Sequence, residues 1–260
     1  MGLKIFITGA SSGLGAELAR AYDDAASDTV IAITARRASE LEAVAATLRC
    51  TSVFYAVDVL DHAGLRAAGQ DFIARFGAPD IVIANAGISA GTFTEFEADL
   101  AAFDRIMRVN VTGIFATFQP FVAAMKARGT GTLAGITSVA SIRGLPGSGG
   151  YCASKAAAVT YLEALRGELR EAGVKVVTVL PGYIRTPLTA KNRYAMPFLM
   201  DADDAARRIR RVIDSGTSYG VVPWQMAFVV KLLRIVPNWL FDRLAANKET
   251  KTRAVDGQPL

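Results

Sequence analysis

A tyrosine and a lysine four residues apart, Tyr151 and Lys155, form the most chemically suggestive pair in this sequence. Residues at this spacing lie on one face of a helix, so the two side chains can meet if the stretch is helical. A phenol with its ordinary pKa of about 10 is a poor proton donor or acceptor at neutral pH, but a nearby ammonium group stabilises the phenolate and lowers that pKa. We therefore interpret Tyr151 as a candidate general acid or base that Lys155 assists.

A third polar side chain, Ser138, lies upstream of this pair, at the end of the apolar run TLAGITS at 132–138. This run is predicted to be a buried strand. The glycine-rich loop that follows can bring the Ser138 hydroxyl back beside Tyr151, where it would hydrogen-bond an oxygen of a substrate. An ordinary amphipathic helix with a buried tyrosine and a surface lysine would explain the pair Tyr151 and Lys155 without any chemistry.

A glycine-rich turn lies near the start of the sequence, between a predicted strand and a predicted helix. Residues 3–8 (LKIFIT) are apolar and β-branched, GASSGLG follows, and AELARAYDDAA then has a helical pattern. Glycines at this place let the backbone approach a pyrophosphate, and the helix start directs N–H groups and its positive end towards it. A tight strand-to-helix turn without a ligand is the alternative interpretation.

Two arginines, Arg36 and Arg37, follow the second predicted strand, TVIAIT at 29–34. They lie about twenty residues after the glycines, where NAD-binding sites place a carboxylate on the ribose 2′-hydroxyl. Guanidinium groups suit a 2′-phosphate instead, and no acidic residue lies between the strand and Ser39. We therefore expect NADP(H) to be preferred over NAD(H). The alternative is that both arginines are solvated at the start of the next helix.

Predicted strands and helices alternate along the chain as far as Val222. Further strands are predicted at 52–57, 80–84 and 174–180, and further helices at 39–48, 99–126, 151–172 and 201–213. Such alternation is typical of a parallel sheet covered by helices on both faces. We predict the α/β class: one doubly wound parallel sheet of Rossmann type, flanked by helices, with an apolar helical C-terminal extension. The expected division is a single domain at 1–223, the extension at 224–247 and a polar, disordered tail at 248–260.

Together these motifs resemble the short-chain dehydrogenase/reductase (SDR) family, in its NADP-preferring branch with TGxxxGxG and YxASK motifs. The resemblance is carried by TGASSGLG at 8–15, NAG at 85–87, Ser138 and YCASK at 151–155, and it covers about residues 3–223. Ala84 departs from the pattern, because the family has NNAG there. The resemblance implies hydride transfer between a nicotinamide cofactor and a carbonyl or alcohol.

The resemblance also implies the site residues. An asparagine at the position of Asn110 bends the helix in this family and holds a water that links the active-site lysine to solvent; an asparagine that caps a local helix break is compatible with that role. The expected catalytic residues are Asn110, Ser138, Tyr151 and Lys155. The expected cofactor-binding residues are Gly9, Ser11, Ser12, Gly13, Leu14, Gly15, Arg36, Arg37, Asp58, Val59, Asn85, Ala86, Gly87, Tyr151, Lys155, Pro181, Gly182, Ile184 and Thr186, although Asp58 also fits a helix cap and Asn85 a plain strand-to-loop turn.

The composition argues against several other classes of protein. With 52% hydrophobic and 20% charged residues, the sequence is that of a globular protein. The net charge of +5 suits an anionic ligand, but the basic residues are dispersed, so we expect no nucleic-acid partner. His62 is the only histidine, and without a GxSxG motif or a dense ligand set we expect neither a serine hydrolase nor a metal site. Only Cys50 and Cys152 are present, which favours a reducing, cytoplasmic compartment.

Residues 224–247 are too apolar for a loop and exceed what the predicted sheet needs. A helix over 224–236 would span ~20 Å, short of the ~30 Å hydrocarbon core of a bilayer. Three alternatives remain for its apolar face: packing on its own domain or a sister subunit, peripheral attachment to the inner face of the membrane, or a groove for another partner.

We expect an NADP(H)-dependent oxidoreductase that interconverts a ketone or aldehyde and its alcohol. The resemblance implies a homodimer or homotetramer formed through the helices at 99–126 and 151–172. One alternative is an NADP(H)-binding sensor with little turnover; a sugar-nucleotide epimerase or dehydratase is disfavoured, because the sequence after Thr186 is too short for a large substrate lobe. The predicted substrate loop at 188–200 suits a lipid or aromatic ketone, yet its Lys191 and Arg193 would also suit a carboxylate or phosphate.

Overall fold

The fold is taken from a computed structural model, which describes residues 2–23, 28–190, 192, 194–246 and 250–253. Its strands and helices alternate along most of the chain as far as the ninth strand. The strands are β1 (Lys4–Thr8), β2 (Val30–Ala35), β3 (Thr51–Ala56), β4 (Ile81–Ala84), β5 (Gly131–Ile136), β6 (Val174–Pro181), β7 (Ile184–Arg185), β8 (Met200–Asp201) and β9 (Tyr219–Val222).

The helices cover both faces of the main sheet and continue beyond it. They are α1 (Gly13–Asp23), α2 (Ala38–Ala45), α3 (His62–Phe76), α4 (Asp99–Met107), α5 (Gly113–Arg128), α6 (Gly149–Leu169), α7 (Ala202–Ser215), α8 (Gln225–Ile235) and α9 (Asn238–Ala245). A π-helical turn, Arg108–Thr112, joins α4 to α5, and a short 3₁₀ helix, Val139–Ser141, follows β5.

Seven strands form one parallel sheet in the order β3-β2-β1-β4-β5-β6-β9. Alternate side chains of β1 point to opposite faces: Ile5 and Ile7 join the core under α1 and α7, whereas Phe6 joins the core under α3, α5 and α6. The strand order reverses between β1 and β4, so a crevice opens at their carboxyl ends. The predicted doubly wound α/β sheet is confirmed.

Two predictions about the extent of helices and strands were wrong in detail. The helix expected over 99–126 is interrupted by the π-helical turn, and β5 ends at Ile136, so Ser138 belongs to the loop beyond it. The tail was also expected to be disordered, but residues 250–253 pack on the domain: the Gly91 N–H donates to the Thr252 carbonyl at 2.9 Å. Residues 248–249 and 254–260 of the expected tail, and residue 247 of the expected extension, lie outside the described residues.

The C-terminal extension is helical, as predicted, and has two contrasting faces. Met226, Val230, Phe241 and Ala245 are buried against the domain. The opposite face of α8 and the start of α9 leave large apolar side chains between 60 and 77% exposed, namely Trp224, Phe228, Leu232, Ile235 and Trp239. Among the helices described, none is long and apolar enough to cross a membrane.

Arg143, in the loop between β5 and α6, fastens this extension to the domain. Its guanidinium donates to the carbonyls of Leu233 at 3.0 Å and Val236 at 2.8 Å, where the last turn of α8 has no helical partners for them. It also donates to the Asn238 side chain at 3.0 Å and lies 4.2 Å from the centroid of the Phe241 ring. One side chain therefore joins the loop that follows Ser138 to both C-terminal helices.

Replacing Arg143 with methionine is expected to lower the free energy of unfolding by about 1 to 3 kcal/mol, because the half-buried carbonyl acceptors of Leu233 and Val236 lose a charged donor. Urea denaturation measures this difference. Lys231→Met removes a charge from the exposed side of α8 and should stay within about 0.5 kcal/mol of the parent. Equal stability of the Arg143→Met protein and the parent would contradict the fastening role.

Candidate active site

A cleft with a volume of about 280 Å³ opens at the carboxyl ends of the central strands. It is lined by every residue that the sequence predicted to bind the cofactor, from Gly9 in the first turn to Thr186 after β7. Ser138, Tyr151 and Lys155 line the same cleft, whereas Asn110 lies behind it. The fold therefore brings together residues that are far apart in the sequence.

The glycine turn is shaped by close backbone packing. Gly9 has a φ of +69°, and a Cβ placed there would lie 2.7 Å from the Cα of Ala86. A Cβ on Gly15, in the first turn of α1, would lie 2.2 Å from the Gly9 carbonyl oxygen. Side chains do not fit at either position, so the backbone and the N-terminus of α1 face the cleft directly.

Asn85 joins the ends of two central strands. Its side-chain amide donates to the carbonyls of Thr8 at 3.1 Å and Gly9 at 3.0 Å. These bonds hold the residue after β4 against the end of β1, so Asn85 does more than form a plain strand-to-loop turn. Ala84, where the family pattern has its first asparagine, is the buried last residue of β4.

Asn110 occupies the π-helical turn and is fully buried. Its amide donates to the Ile88 carbonyl at 3.0 Å and to the Ser154 hydroxyl at 2.9 Å, while its carbonyl accepts from the Ile88 N–H at 2.9 Å. A buried asparagine in a helix is costly unless such bonds satisfy it. Asn110 thus fixes the loop after β4 against α6, directly behind Lys155.

Lys155 is buried among the ends of β5 and α6. Its ammonium donates to the Ile136 carbonyl at 2.9 Å and lies 5.9 Å from the centroid of the Tyr151 ring. Burial lowers the pKa of Lys155 to about 8, and repulsion from the Lys251 ammonium acts in the same direction.

Tyr151 does not show the lowered pKa that its spacing from Lys155 predicted. Burial raises the pKa of Tyr151 to about 12, and a hydrogen bond to the Ser138 hydroxyl opposes this only in part. The Lys155 ammonium donates to the Ile136 carbonyl. The phenol is therefore protonated at neutral pH in this arrangement.

Ser138 is held in place by the turn that follows it. It precedes the 3₁₀ helix, and its hydroxyl oxygen accepts from the Ala140 N–H at 3.1 Å. This bond fixes the side chain while its own O–H stays available as a donor. Ser138 and Tyr151 thus present two hydroxyl groups to the same part of the cleft.

The far end of the cleft holds the two predicted phosphate-binding arginines. Both are exposed, and Arg37 forms an ion pair with Glu40 at 2.5 Å. Asp58 also lines this end and accepts from the Leu60 N–H at 3.0 Å, whereas the cap of α3 is Asp61. The alternative interpretation of Asp58 as a helix cap is therefore wrong.

The remaining sequence predictions concern metal and loop residues. His62 is exposed at the start of α3, and the described part of the chain contains no group of three or more metal-ligating side chains. Leu188 from the predicted substrate loop lines the cleft. Lys191 and Arg193 of the same loop lie outside the described residues.

Sequence reasoning missed two basic residues. Arg105 of α4 lines the cleft, and its buried Nε atom has no hydrogen-bond partner among the described residues. Arg105 could have been found from its spacing to Val109, which lies one helical turn later and also lines the cleft. Lys251 reaches the face of the Tyr151 ring, with its ammonium 4.3 Å from the centroid. No local pattern in the polar tail indicates that contact.

Known proteins resemble this chain both in sequence and in structure. The sequence model of the short chain dehydrogenase family matches residues 4–196. A Myxococcus xanthus protein called an uncharacterized oxidoreductase is 36% identical over 244 residues, which cover 92% of this chain and 94% of that protein.

Two solved structures share the fold along most of their length. A short-chain type dehydrogenase/reductase from Mycobacterium marinum has a TM-score of 0.76 at 28% identity, over 85% of this chain and 93% of that one. An alcohol dehydrogenase from Thermococcus sibiricus, complexed with 5-hydroxy-NADP, has a TM-score of 0.72 at 25% identity, over 84% and 94%. With its glycine turn and its serine, tyrosine and lysine in one cleft, this chain belongs to the short-chain dehydrogenase/reductase family of oxidoreductases.

Proposed function

We propose that this protein is an NADP(H)-dependent oxidoreductase that interconverts a ketone or aldehyde and its alcohol. The observation that carries the proposal is the convergence of Ser138, Tyr151 and Lys155 at one end of the cleft whose other end is the glycine turn. A group that exchanges protons thus lies next to a site suited to a dinucleotide. Hydride transfer is the chemistry that the bound nicotinamide supplies.

The cleft fits such a cofactor on structural grounds. Close packing at Gly9 and Gly15 exposes backbone N–H groups at the start of α1, which suits a pyrophosphate. Arg105, with a buried guanidinium nitrogen that lacks a partner among the described residues, adds a positive charge to the lining of the cleft. Pro181 to Thr186 would hold the nicotinamide amide at the opposite end, so that one face of the ring meets the substrate.

The protein's own residues would then handle the proton and the carbonyl oxygen. Tyr151 donates its proton to that oxygen during reduction, and Ser138 hydrogen-bonds the oxygen and orients it. Lys155 binds the ribose and stabilises the phenolate that forms, while Asn110 holds the chain of hydrogen bonds behind it. Burial keeps the Tyr151 phenol protonated at neutral pH, which is the state that donation to a carbonyl oxygen requires.

Tyr151→Phe is expected to reduce kcat/KM for carbonyl reduction by about 10² to 10⁴, since the proton donor is lost while the apolar ring remains. The measurement is NADPH absorbance with a mixed panel of ketones and aldehydes, together with NADPH affinity, which should change little. Tyr219→Phe is the matched control, because Tyr219 is exposed on β9 and lies outside the lining of the cleft. Unchanged activity of Tyr151→Phe refutes the assignment; tight NADPH binding without turnover by the parent favours the sensor alternative.

The preference for NADP(H) rests on Arg36 and Arg37 at the adenosine end. The ion pair of Arg37 with Glu40 is exposed, and such pairs contribute only about 0 to 1 kcal/mol, so Arg37 can exchange its partner for a phosphate at little cost. The complex of the Thermococcus sibiricus relative with 5-hydroxy-NADP adds support by analogy.

NADPH is expected to bind about tenfold to several-hundredfold more tightly than NADH, from contacts of ~1.5 to 3 kcal/mol each. Fluorescence titration gives both dissociation constants. Arg36→Met combined with Arg37→Met should bring the two constants together by weakening NADPH alone, whereas Glu40→Gln should leave NADPH at least as tight. Equal constants in the parent protein would remove the basis for this preference.

We also propose a cytoplasmic homodimer or homotetramer that contacts the inner face of the membrane. The reduced Cys50 and Cys152 support the compartment. Phe115 of α5 is 55% exposed and touches Tyr161 of α6, which supports an oligomer through these helices. The exposed apolar face of α8 and α9 supports membrane contact, because the basic Lys231 and Arg234 lie beside it and suit anionic lipid.

Phe228→Ser combined with Trp239→Ser is expected to weaken co-sedimentation with phosphatidylserine-containing vesicles at low salt by more than tenfold, since each buried aromatic ring contributes about 1.5 to 3 kcal/mol. Phe54→Ser, which removes an exposed aromatic side chain from β3, serves as the control. A parent protein that ignores these vesicles would exclude membrane contact. If the double substitution instead dissociates an oligomer in sedimentation, the face is a subunit contact.

A further inference from the structure

The described part of the tail is seated on the loop after β4, beside the active site. The Gly91 N–H donates to the Thr252 carbonyl at 2.9 Å, and Arg253 pairs with Gly91 in a parallel bridge. A Cβ on Gly91 would lie 2.3 Å from the Lys251 carbonyl oxygen, so the two backbones are in direct contact. This segment, 250–253, is here called the tail strap.

Arg253 anchors the tail strap through a buried carboxylate. Asp99, at the start of α4, is 2% exposed, and its two oxygens accept from the Arg253 guanidinium at 3.0 Å each. The guanidinium also lies 3.6 Å from the centroid of the Phe96 ring. The Arg253 side chain holds the pKa of Asp99 below its usual range. A buried carboxylate that depends on a bidentate arginine makes this contact specific.

Lys251 extends from the tail strap into the active site. Its ammonium donates to the Ser89 hydroxyl and lies 4.3 Å from the centroid of the Tyr151 ring. Burial lowers the pKa of Lys251 to about 8, so the group is mostly cationic at neutral pH. Across the described residues, no carboxylate forms an ion pair with it. A partly buried cation thus faces the proton donor of the proposed reaction without a counter-charge.

The position of Lys251 distinguishes it from the cationic groups that suit the cofactor. Neither Lys251 nor Ser89 belongs to the lining of the cofactor cleft, which holds the glycine turn, Arg36 and Arg105. The Lys251 ammonium instead lies against the ring of Tyr151, the residue whose hydroxyl the substrate carbonyl must reach. An anion on the substrate can therefore reach it while the cofactor phosphates lie at the glycine turn.

We propose that Lys251 binds an anionic group of the substrate, a carboxylate or a phosphate, so that the enzyme acts on oxo acids or phosphorylated carbonyl compounds in preference to neutral ones. The proposal rests on the carbonyl-reductase function proposed above. A charge-assisted bond to Lys251, with Ser89 as a second donor, would offset the cost of the buried ammonium and place the carbonyl beside Tyr151. Lys251 is thus a specificity-determining residue, and Arg253 and Asp99 position it.

The test compares matched charged and neutral substrates. One arm uses acetoacetate against methyl acetoacetate, and the other uses dihydroxyacetone phosphate against dihydroxyacetone, each followed by NADPH absorbance. The parent should prefer the charged member of at least one pair, and the arm that shows it identifies the anion. Lys251→Met should lower the ratio of kcat/KM, charged over neutral, by about tenfold or more, mainly through KM. Lys251→Arg retains the charge and should keep most of the ratio.

Two further variants separate a direct contact from general damage. Arg253→Met leaves Lys251 in the chain but releases the anchor, so the ratio should fall in the same direction as in Lys251→Met. Lys126→Met removes an exposed lysine from the end of α5 and should leave the ratio unchanged. Thermal unfolding shows whether each variant is folded, and a charged substrate with NADP⁺, which cannot reduce it, should raise the midpoint of the parent more than that of Lys251→Met.

The outcomes also distinguish this inference from the proposed function. If neutral members are reduced and their charged partners are no better, or if Lys251→Met keeps the parental ratio, Lys251 does not select an anion and the reductase function stands. If no carbonyl in either pair or in the wider panel is reduced although NADPH binds, the reductase function fails and this inference fails with it.

Discussion

The active site depends on the close contact between the ends of β1 and β4, where the order of strands reverses. The turn at Gly9 packs on the backbone at Ala86, and Asn85 bonds to the carbonyls of Thr8 and Gly9. A side chain at Gly9 or Gly15 would force these segments apart. The helix α1 and the loop after β4 both start at this contact. The contact therefore fixes the glycine turn and the loop at Ile88, to which Asn110 is hydrogen-bonded.

Electrostatics imposes a second constraint on the same cleft. The ammonium groups of Lys155 and Lys251 lie 5.9 and 4.3 Å from the centroid of the Tyr151 ring, and burial brings the pKa of each to about 8. Arg105 adds a buried guanidinium nitrogen without a partner in the described structure. Holding cations together in a partly buried site is unfavourable unless anions join them. A dinucleotide phosphate and an anionic substrate group would supply those charges, which links cofactor binding to substrate choice.

Much of this arrangement could be predicted from the sequence, because its signals are local. The strand, glycine turn and helix pattern gave the first βα unit, and the spacing of Tyr151 and Lys155 placed both side chains at one cleft. Every expected cofactor residue lines that cleft for the same reason: each follows a parallel strand or begins a helix at the carboxyl edge.

The features that could not be predicted from the sequence are those that tertiary contacts determine. The raised pKa of Tyr151 follows from burial, which the spacing of Tyr151 and Lys155 does not reveal. The tail strap looked like disordered chain because it is polar, yet the buried Asp99 gives Arg253 a partner far away in sequence. The sequence likewise does not show which face of α8 is exposed, because both faces are apolar and only the packing of Met226 and Val230 on the domain distinguishes them.

The most direct test of the account is to follow the hydride itself. NADPH deuterated at the hydride-carrying carbon of its nicotinamide ring is incubated with the protein and a reducible carbonyl compound, and the alcohol product is analysed by mass spectrometry. The account predicts one deuterium on the carbinol carbon of the product. An alcohol formed without deuterium from either face of the labelled ring, or no alcohol from any carbonyl compound while NADPH is bound, would contradict it.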